Sequence, residues 1–218
     1  AFCDVTTGAG IQPVPDDRSP LWANGWDRRS VILKVLCDGR WTTWRLPKGS
    51  QSYDQAWCTE WPRIRQIAPG RLLLDMHGLY YEMSPEFRPG HAGGLVPYVS
   101  HLKMTPDFCQ WKDGLVFAGN ENTAMGHRHR TGGQPQANLW FGSIEDVGRW
   151  GRPAGWGGPW LRDQVTAGVS SDPFLIQGFA NRVLHLSIDK PVPSGLARCT
   201  DRFEIVRLPN ELAGLDYV

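Results

Sequence analysis

A surplus of charge is the first thing this chain lacks. Lys and Arg together number 23 and Asp and Glu 22, a net charge of +1. That balance gives no long-range attraction to nucleic acid or to acidic membranes, and no block of like charges stands out. There is no apolar run of the roughly 18 residues that a membrane-spanning helix needs. The five cysteines, Cys3, Cys37, Cys58, Cys109 and Cys199, form no CxxC pair, which argues against a zinc knuckle. Their odd number leaves one over if the others pair. One or two disulfides stay open, with scattered buried thiols the commoner arrangement. Nucleophile elbows, phosphate loops and dinucleotide fingerprints are missing too, because the Gly-rich pieces flank tryptophans rather than helix starts. Helical periodicity is nearly absent. Residues 144–150 allow a single turn at most.

What the chain does have is turn formers and tryptophan. Gly (25) and Pro (17) make up 42 of 218 residues, about a fifth against a usual share of roughly an eighth. Hydrophobic content is nevertheless 41%, so a core can form. Many short strands joined by many turns fit both facts. The 11 tryptophans are flat, large and carry one donor each, which suits sheet packing and also sugar stacking.

Strand-turn-strand units recur along the chain. Ser30–Leu36 leads through Cys37-Asp38-Gly39-Arg40 into Trp41–Leu46, and Asp-Gly between two β-rich runs is the strongest short hairpin signal. Units follow at Arg63–Ile67 with Arg71–Met76 and Leu79–Met83, at Asp107–Trp111 with Lys112-Asp113-Gly114 and Leu115–Gly119, then Ala137–Gly142. Pro173–Gln177 with Arg182–Ser187, and finally Arg202–Arg207, complete the series. Such a pattern predicts an all-β sandwich, barrel or propeller. The units opening near 63 and 107 lie 44 residues apart, close to one propeller blade of about 40–50. A third opens near 173, after a long Gly/Trp loop. We therefore expect a β-propeller of about 3.5–4 four-stranded blades, residues 1–218 forming one domain, with 31–46 the outer half of a blade. Arg63, Asp107 and Pro173 should lie near the starts of inner strands. So few blades are at the lower limit for closure, and the chain begins at Ala1 without the charged and apolar regions of a leader. We expect a piece of a longer, seven-bladed propeller.

The segments Leu74–Glu82, Gln134–Gly142, Gly155–Trp160 and Ser171–Phe179 resemble stretches of large bacterial propeller proteins found with polysaccharide-degrading machinery. The resemblance covers roughly residues 28–190. More distantly the chain is similar to the seven-bladed rhamnosidase and rhamnose–glucuronate lyase propellers. It implies an extracellular or periplasmic protein, monomeric when full length, that handles an acidic oligo- or polysaccharide. No catalytic motif matches residue by residue. The sialidase-type Asp box is also missing, since Asp38-Gly39-Arg40-Trp41-Thr42-Thr43-Trp44 lacks its spacing.

In a propeller, loops joining second to third strands share a face with loops joining blades. That face should collect His77, the 120–137 loop, the 47–61 connection and the 151–172 connection, and long loops on a rigid scaffold are where function concentrates. His127, Arg128, His129, Arg130 and Gln134 lie close together in one loop. Arg can clamp a carboxylate and His can move protons near neutral pH. The bland alternative is a solvated basic loop without a role. His127 and His129 alternate, which would permit a metal, but no third ligand is near in sequence; we expect neither metal nor cofactor. His77, beside Tyr80 and Tyr81, offers with Tyr81 a base and an acid for β-elimination next to a uronate; otherwise His77 only satisfies a turn. Trp156 and Trp160 with Arg162 and Asp163 offer aromatic plates for sugar, or else packing between blades. Trp57 and Trp61 with Glu60 and Arg63 read the same way. Asp172 before Pro173 reads as a cap. The candidate face is richer in His and Arg than in the paired carboxylates hydrolysis needs, so elimination is expected ahead of hydrolysis. A glycan-binding or protein-binding propeller without catalysis is the alternative.

Overall fold

The computed structural model describes residues 2–7, 20–49, 62–101, 103–123, 138–166 and 168–186. It is all-β, and among the described residues helix is confined to the four residues of α1 (Ile144–Val147). Two sheets are four-stranded antiparallel meanders in chain order. The first comprises β1 (Phe2–Thr7), β2 (Leu21–Trp26), β3 (Val31–Cys37) and β4 (Arg40–Leu46). After β5 (Lys48–Gly49) comes the second, β6 (Arg63–Ala68), β7 (Arg71–Met76), β8 (Leu79–Met83) and β9 (Val96–Ser100). The third sheet has three strands, β10 (Lys103–Trp111), β11 (Gly114–Thr123) and β12 (Asn138–Gly142). β13 (Gly155–Trp156) returns to pair with β5.

The sheets stack face to face, with β1 beside β6 and β6 beside β10. Side-chain period sets the stacking. In β3, Val31, Leu33 and Val35 are buried while Ile32, Lys34 and Leu36 on the other face are half-buried, the alternation of a strand with one covered face. β7 behaves differently: Leu72 through Met76 are all buried. Leu72, Leu74 and Met76 enter a core shared with the first sheet, whereas Leu73 enters a core shared with the third. A continuous apolar run is what a sheet covered on both sides requires. In the first core the Trp22 indole N–H donates to the Phe87 carbonyl (2.9 Å).

Hairpins follow the expected turns with one shift. Asp38 and Gly39 both take positive φ (50° and 71°), as a type I′ turn demands. At the third sheet the turn is Lys112-Asp113, with Lys112 at φ 54°, and Gly114 opens β11 opposite Trp111. Gly114 is needed in the strand rather than in the turn, since a Cβ there would lie 2.8 Å from the Gly142 carbonyl oxygen.

Three expectations are corrected. The unit at 173 does not form a hairpin: Phe174 makes a single parallel bridge to Arg45, and 182–186 run outside any strand. The apolar run there is answered by a remote strand edge, not by its own neighbour. Asp107 lies inside β10 and not at its start, whereas Arg63 does open β6. Cys109 is exposed and Cys37 half-buried, both as free thiols, so neither is the buried thiol expected. The expected strand 202–207 lies outside the described residues. Hairpin 31–46 forms the third and fourth strands of its sheet.

Candidate functional site

The turn His77-Gly78 between β7 and β8 places both residues at positive φ (48° and 77°). This points its two carbonyls outward at one end of the stack. The His77 carbonyl accepts from the Gly49 N–H (2.8 Å) and the Gly78 carbonyl from the His101 N–H (3.0 Å). The turn is thereby tied to the exits from the first and second sheets. The His77 ring is buried and meets Trp26 edge-on, centroids 4.6 Å apart. Position 49 must be glycine: a Cβ would lie 2.6 Å from the His77 oxygen.

β5 carries the next part of the site. Gly49 pairs with Gly155 and Lys48 with Trp156. Lys48 is fully buried, and its Nζ sits 5.4 Å from the Trp156 ring centroid, within cation–π range. The Trp156 side chain is 51% exposed. Beyond it, Gly157 takes φ 147°, a conformation open to glycine alone, and Gly158 N–H donates to the Arg29 carbonyl (3.1 Å). The Arg29 guanidinium donates to the Pro159 carbonyl (3.3 Å) and to Asp163 Oδ2 (3.2 Å). Trp160, Leu161 and Arg162 stand exposed on this pinned segment.

Arg45 holds the same end from behind. Its side chain is buried and donates to Asp27 Oδ2 (2.9 Å), Ser30 Oγ (2.8 Å) and Asp172 Oδ2 (2.9 Å). Its backbone N–H donates to Pro173 O (2.8 Å) and its carbonyl accepts from Leu175 N–H (2.9 Å). Burial alone would raise the Asp27 carboxyl, but the Arg45 hydrogen bond and charge, with the Ser30 and Arg29 N–H groups, outweigh it and hold Asp27 below the usual carboxylate range. Asp172 is therefore more than a cap, since it ties the 171–175 segment to β4.

A second polar group lies deeper, between the second and third sheets. His101 Nε2 is 3.3 Å from Asp75 Oδ1, both buried. The Tyr80 ring stacks on His101 at 4.3 Å and its hydroxyl is 2.6 Å from Thr105 Oγ1. A carboxylate orienting an imidazole is half of a catalytic arrangement, but aromatic rings enclose this one.

Of the residues singled out from sequence, His77, Trp156, Trp160 and Arg162 come to this end of the stack. Tyr81 is elsewhere in character: it lies fully in the first core, its hydroxyl donates to the Pro47 carbonyl (2.6 Å), and burial pushes that hydroxyl well above its ordinary value. His127, Arg128, His129, Arg130 and Gln134, with Trp57, Glu60 and Trp61, lie outside the described residues. Sequence reasoning missed Arg29, Arg45, Lys48 and the Asp75–His101 pair. For Arg45 no local signal existed, because its acceptors come from two distant loops. Lys48 and Gly49 did carry one, a Pro-Lys-Gly exit immediately after a strand. Compared with protein-family models, with curated proteins and with solved structures, the chain matches none.

Proposed function

We propose that the stacked sheets are blades of a β-propeller, and that the end bearing Trp156 and Trp160 holds carbohydrate. One observation carries this reading: Trp156 presents an exposed ring on a backbone fixed by the β5 ladder and by Arg29. A pyranose has an apolar face and a polar rim, so a preset aromatic plate binds it with little ordering cost. Arg162, exposed two residues beyond Trp160, supplies a cation for the carboxylate of a uronate. The propeller reading is supported by the chain-order meanders and by the first strands lying side by side. Binding is put ahead of cleavage because His77 and Tyr81 are both buried, so neither hydrogen-bonds a sugar without rearrangement.

Native electrophoresis through gels containing acidic or neutral polysaccharides tests this. Wild type should be retarded by an acidic glycan, and Trp156→Ala should migrate as in an empty gel while keeping its circular dichroism. Retardation by no glycan in a broad panel sinks the proposal. Release of an unsaturated product absorbing in the near ultraviolet would replace binding with elimination.

A further inference from the structure

The core between the first and second sheets contains polar atoms that its own side chains and carbonyls leave unmatched. Trp22, Asn24 and Trp26 alternate onto one face of β2. Trp22 belongs to that core and Trp26 meets the His77 ring of the second sheet, so Asn24 between them faces the same way. Asn24 is wholly buried. Cross-strand pairing sets Asn24 opposite Leu33, and Leu33 opposite Trp44. The amide and the indole therefore stand in one row across three strands, inside the interface between two sheets. Other donors of this core reach carbonyls: Trp22 Nε1 donates to Phe87 O, and the Tyr81 hydroxyl to Pro47 O. Asn24 Oδ1, Asn24 Nδ2 and Trp44 Nε1 are also buried, yet among the described residues none of the three has a hydrogen-bond partner.

Leaving a buried amide dry and unpaired costs more than an ordinary hydrogen bond returns. Native interiors satisfy nearly all such groups with protein or with ordered water. We propose that water is held over Leu33 between the first and second sheets, hydrogen-bonded to the Asn24 amide and to Trp44 Nε1. Donor and acceptor chemistry selects the occupant. The row offers two donor groups, Asn24 Nδ2 and Trp44 Nε1, and one acceptor, Asn24 Oδ1. A cation would find one neutral oxygen there and face N–H groups. An anion would meet the lone pairs of Oδ1 with no charge to balance its own. Water accepts from the donors and donates to the acceptor, and about three polar partners is the usual number for a buried water. Exchanging the two ends of the amide leaves this count the same. Adjacent strands lie about 4.8 Å apart. Asn24 and Trp44 are two strands apart with side chains pointing the same way, so water bridges a gap that the side chains do not close themselves. The site is independent of what binds at Trp156.

A high-resolution crystal structure of the 218-residue chain is the test. Density for water should lie about 2.7–3.2 Å from the Asn24 amide and from Trp44 Nε1. In solution, the Trp44 indole N–H should show a cross-relaxation peak to long-lived water in rotating-frame NMR, its resonance identified by its loss in Trp44→Phe. Asn24→Leu keeps the volume and removes both amide atoms. It should weaken that peak and lower the folding equilibrium constant roughly tenfold, because the Trp44 donor then loses its partner. If Asn24→Leu does not fold, the crystal and the wild-type peak still decide. A dry row, an amide turned onto a protein group, or a Trp44 N–H without a water peak overturns the proposal, as does a peak that Asn24→Leu leaves unaltered. So does a gain in stability of Asn24→Leu, the result expected where an unpaired amide is exchanged for hydrocarbon.

Discussion

The two cores between the sheets are built from different materials. Between the first and second sheets the filling is mainly aliphatic, with Val31, Leu33, Leu46, Leu72, Leu74 and Met76 around Trp22 and Trp44. Between the second and third it is aromatic: Tyr80, Phe108, Phe117, Trp140 and Trp150 surround the buried Asp75–His101 pair. Adjacent residues of one strand divide between them. Tyr80 faces the aromatic core and Tyr81 the aliphatic one, since successive side chains of a strand point oppositely. An aliphatic core tolerates loss of volume by degrees, whereas a core built around a buried ionisable pair depends on both partners. The two interfaces should therefore fail differently.

The largest effect is expected in the aromatic core. Asp75→Ala takes from His101 Nε2 its carboxylate partner at a site with almost no solvent and leaves the volume of that side chain unfilled, and should destabilise the fold by about 3–5 kcal/mol. Asp75→Asn, which keeps an oxygen at the same place, should cost less. Urea unfolding followed by tryptophan fluorescence measures both. Equal losses for the two variants would show that charge in the pair matters little.

Leu74→Ala in the aliphatic core should cost about 3 kcal/mol, the lost transfer energy plus that of a partly collapsed cavity, by the same measurement. If it exceeds Asp75→Ala, the contrast between the interfaces is reversed.

How much of this was legible in the sequence follows from where each partner lies. Turns such as Asp38-Gly39 were readable because both determinants sit in two adjacent residues. β2 was not, because Leu21-Trp22-Ala23-Asn24-Gly25-Trp26 contains Asn-Gly, itself a strong turn signal. Tertiary context overrides it: Asn24 is buried between sheets and Gly25 pairs with Phe2 and Ile32. Phe174 and Leu175 carried a strand pattern, yet their partner is Arg45, which no local rule links to them. At the candidate site, Trp156, Trp160 and Arg162 stood out by composition. That Trp156 is propped on a buried Lys48 depends on a two-residue ladder between segments more than a hundred residues apart.

The smallest effect sharpens the comparison at its finest point, the two neighbouring tyrosines. Tyr81→Phe removes the hydrogen bond to Pro47 O and should cost about 1 kcal/mol at neutral pH. Its pH dependence is more telling. Burial raises the folded-state value of the Tyr81 hydroxyl well above 10.0, while the unfolded chain ionises near 10. The folded state thus retains a proton the unfolded state releases. Stability is full below about pH 10 and falls as pH rises beyond it, by up to about 1.4 kcal/mol per unit for one such group. Tyr98 shifts the same way, chiefly by burial and then by Glu82 and Glu145, and its share persists in the variant. Tyr81→Phe should therefore flatten, without abolishing, the decline in unfolding free energy between about pH 10 and 11.5. A variant curve parallel to wild type over that interval would mean that the Tyr81 hydroxyl reaches water, and that the aliphatic core is less closed at Pro47 than its geometry indicates.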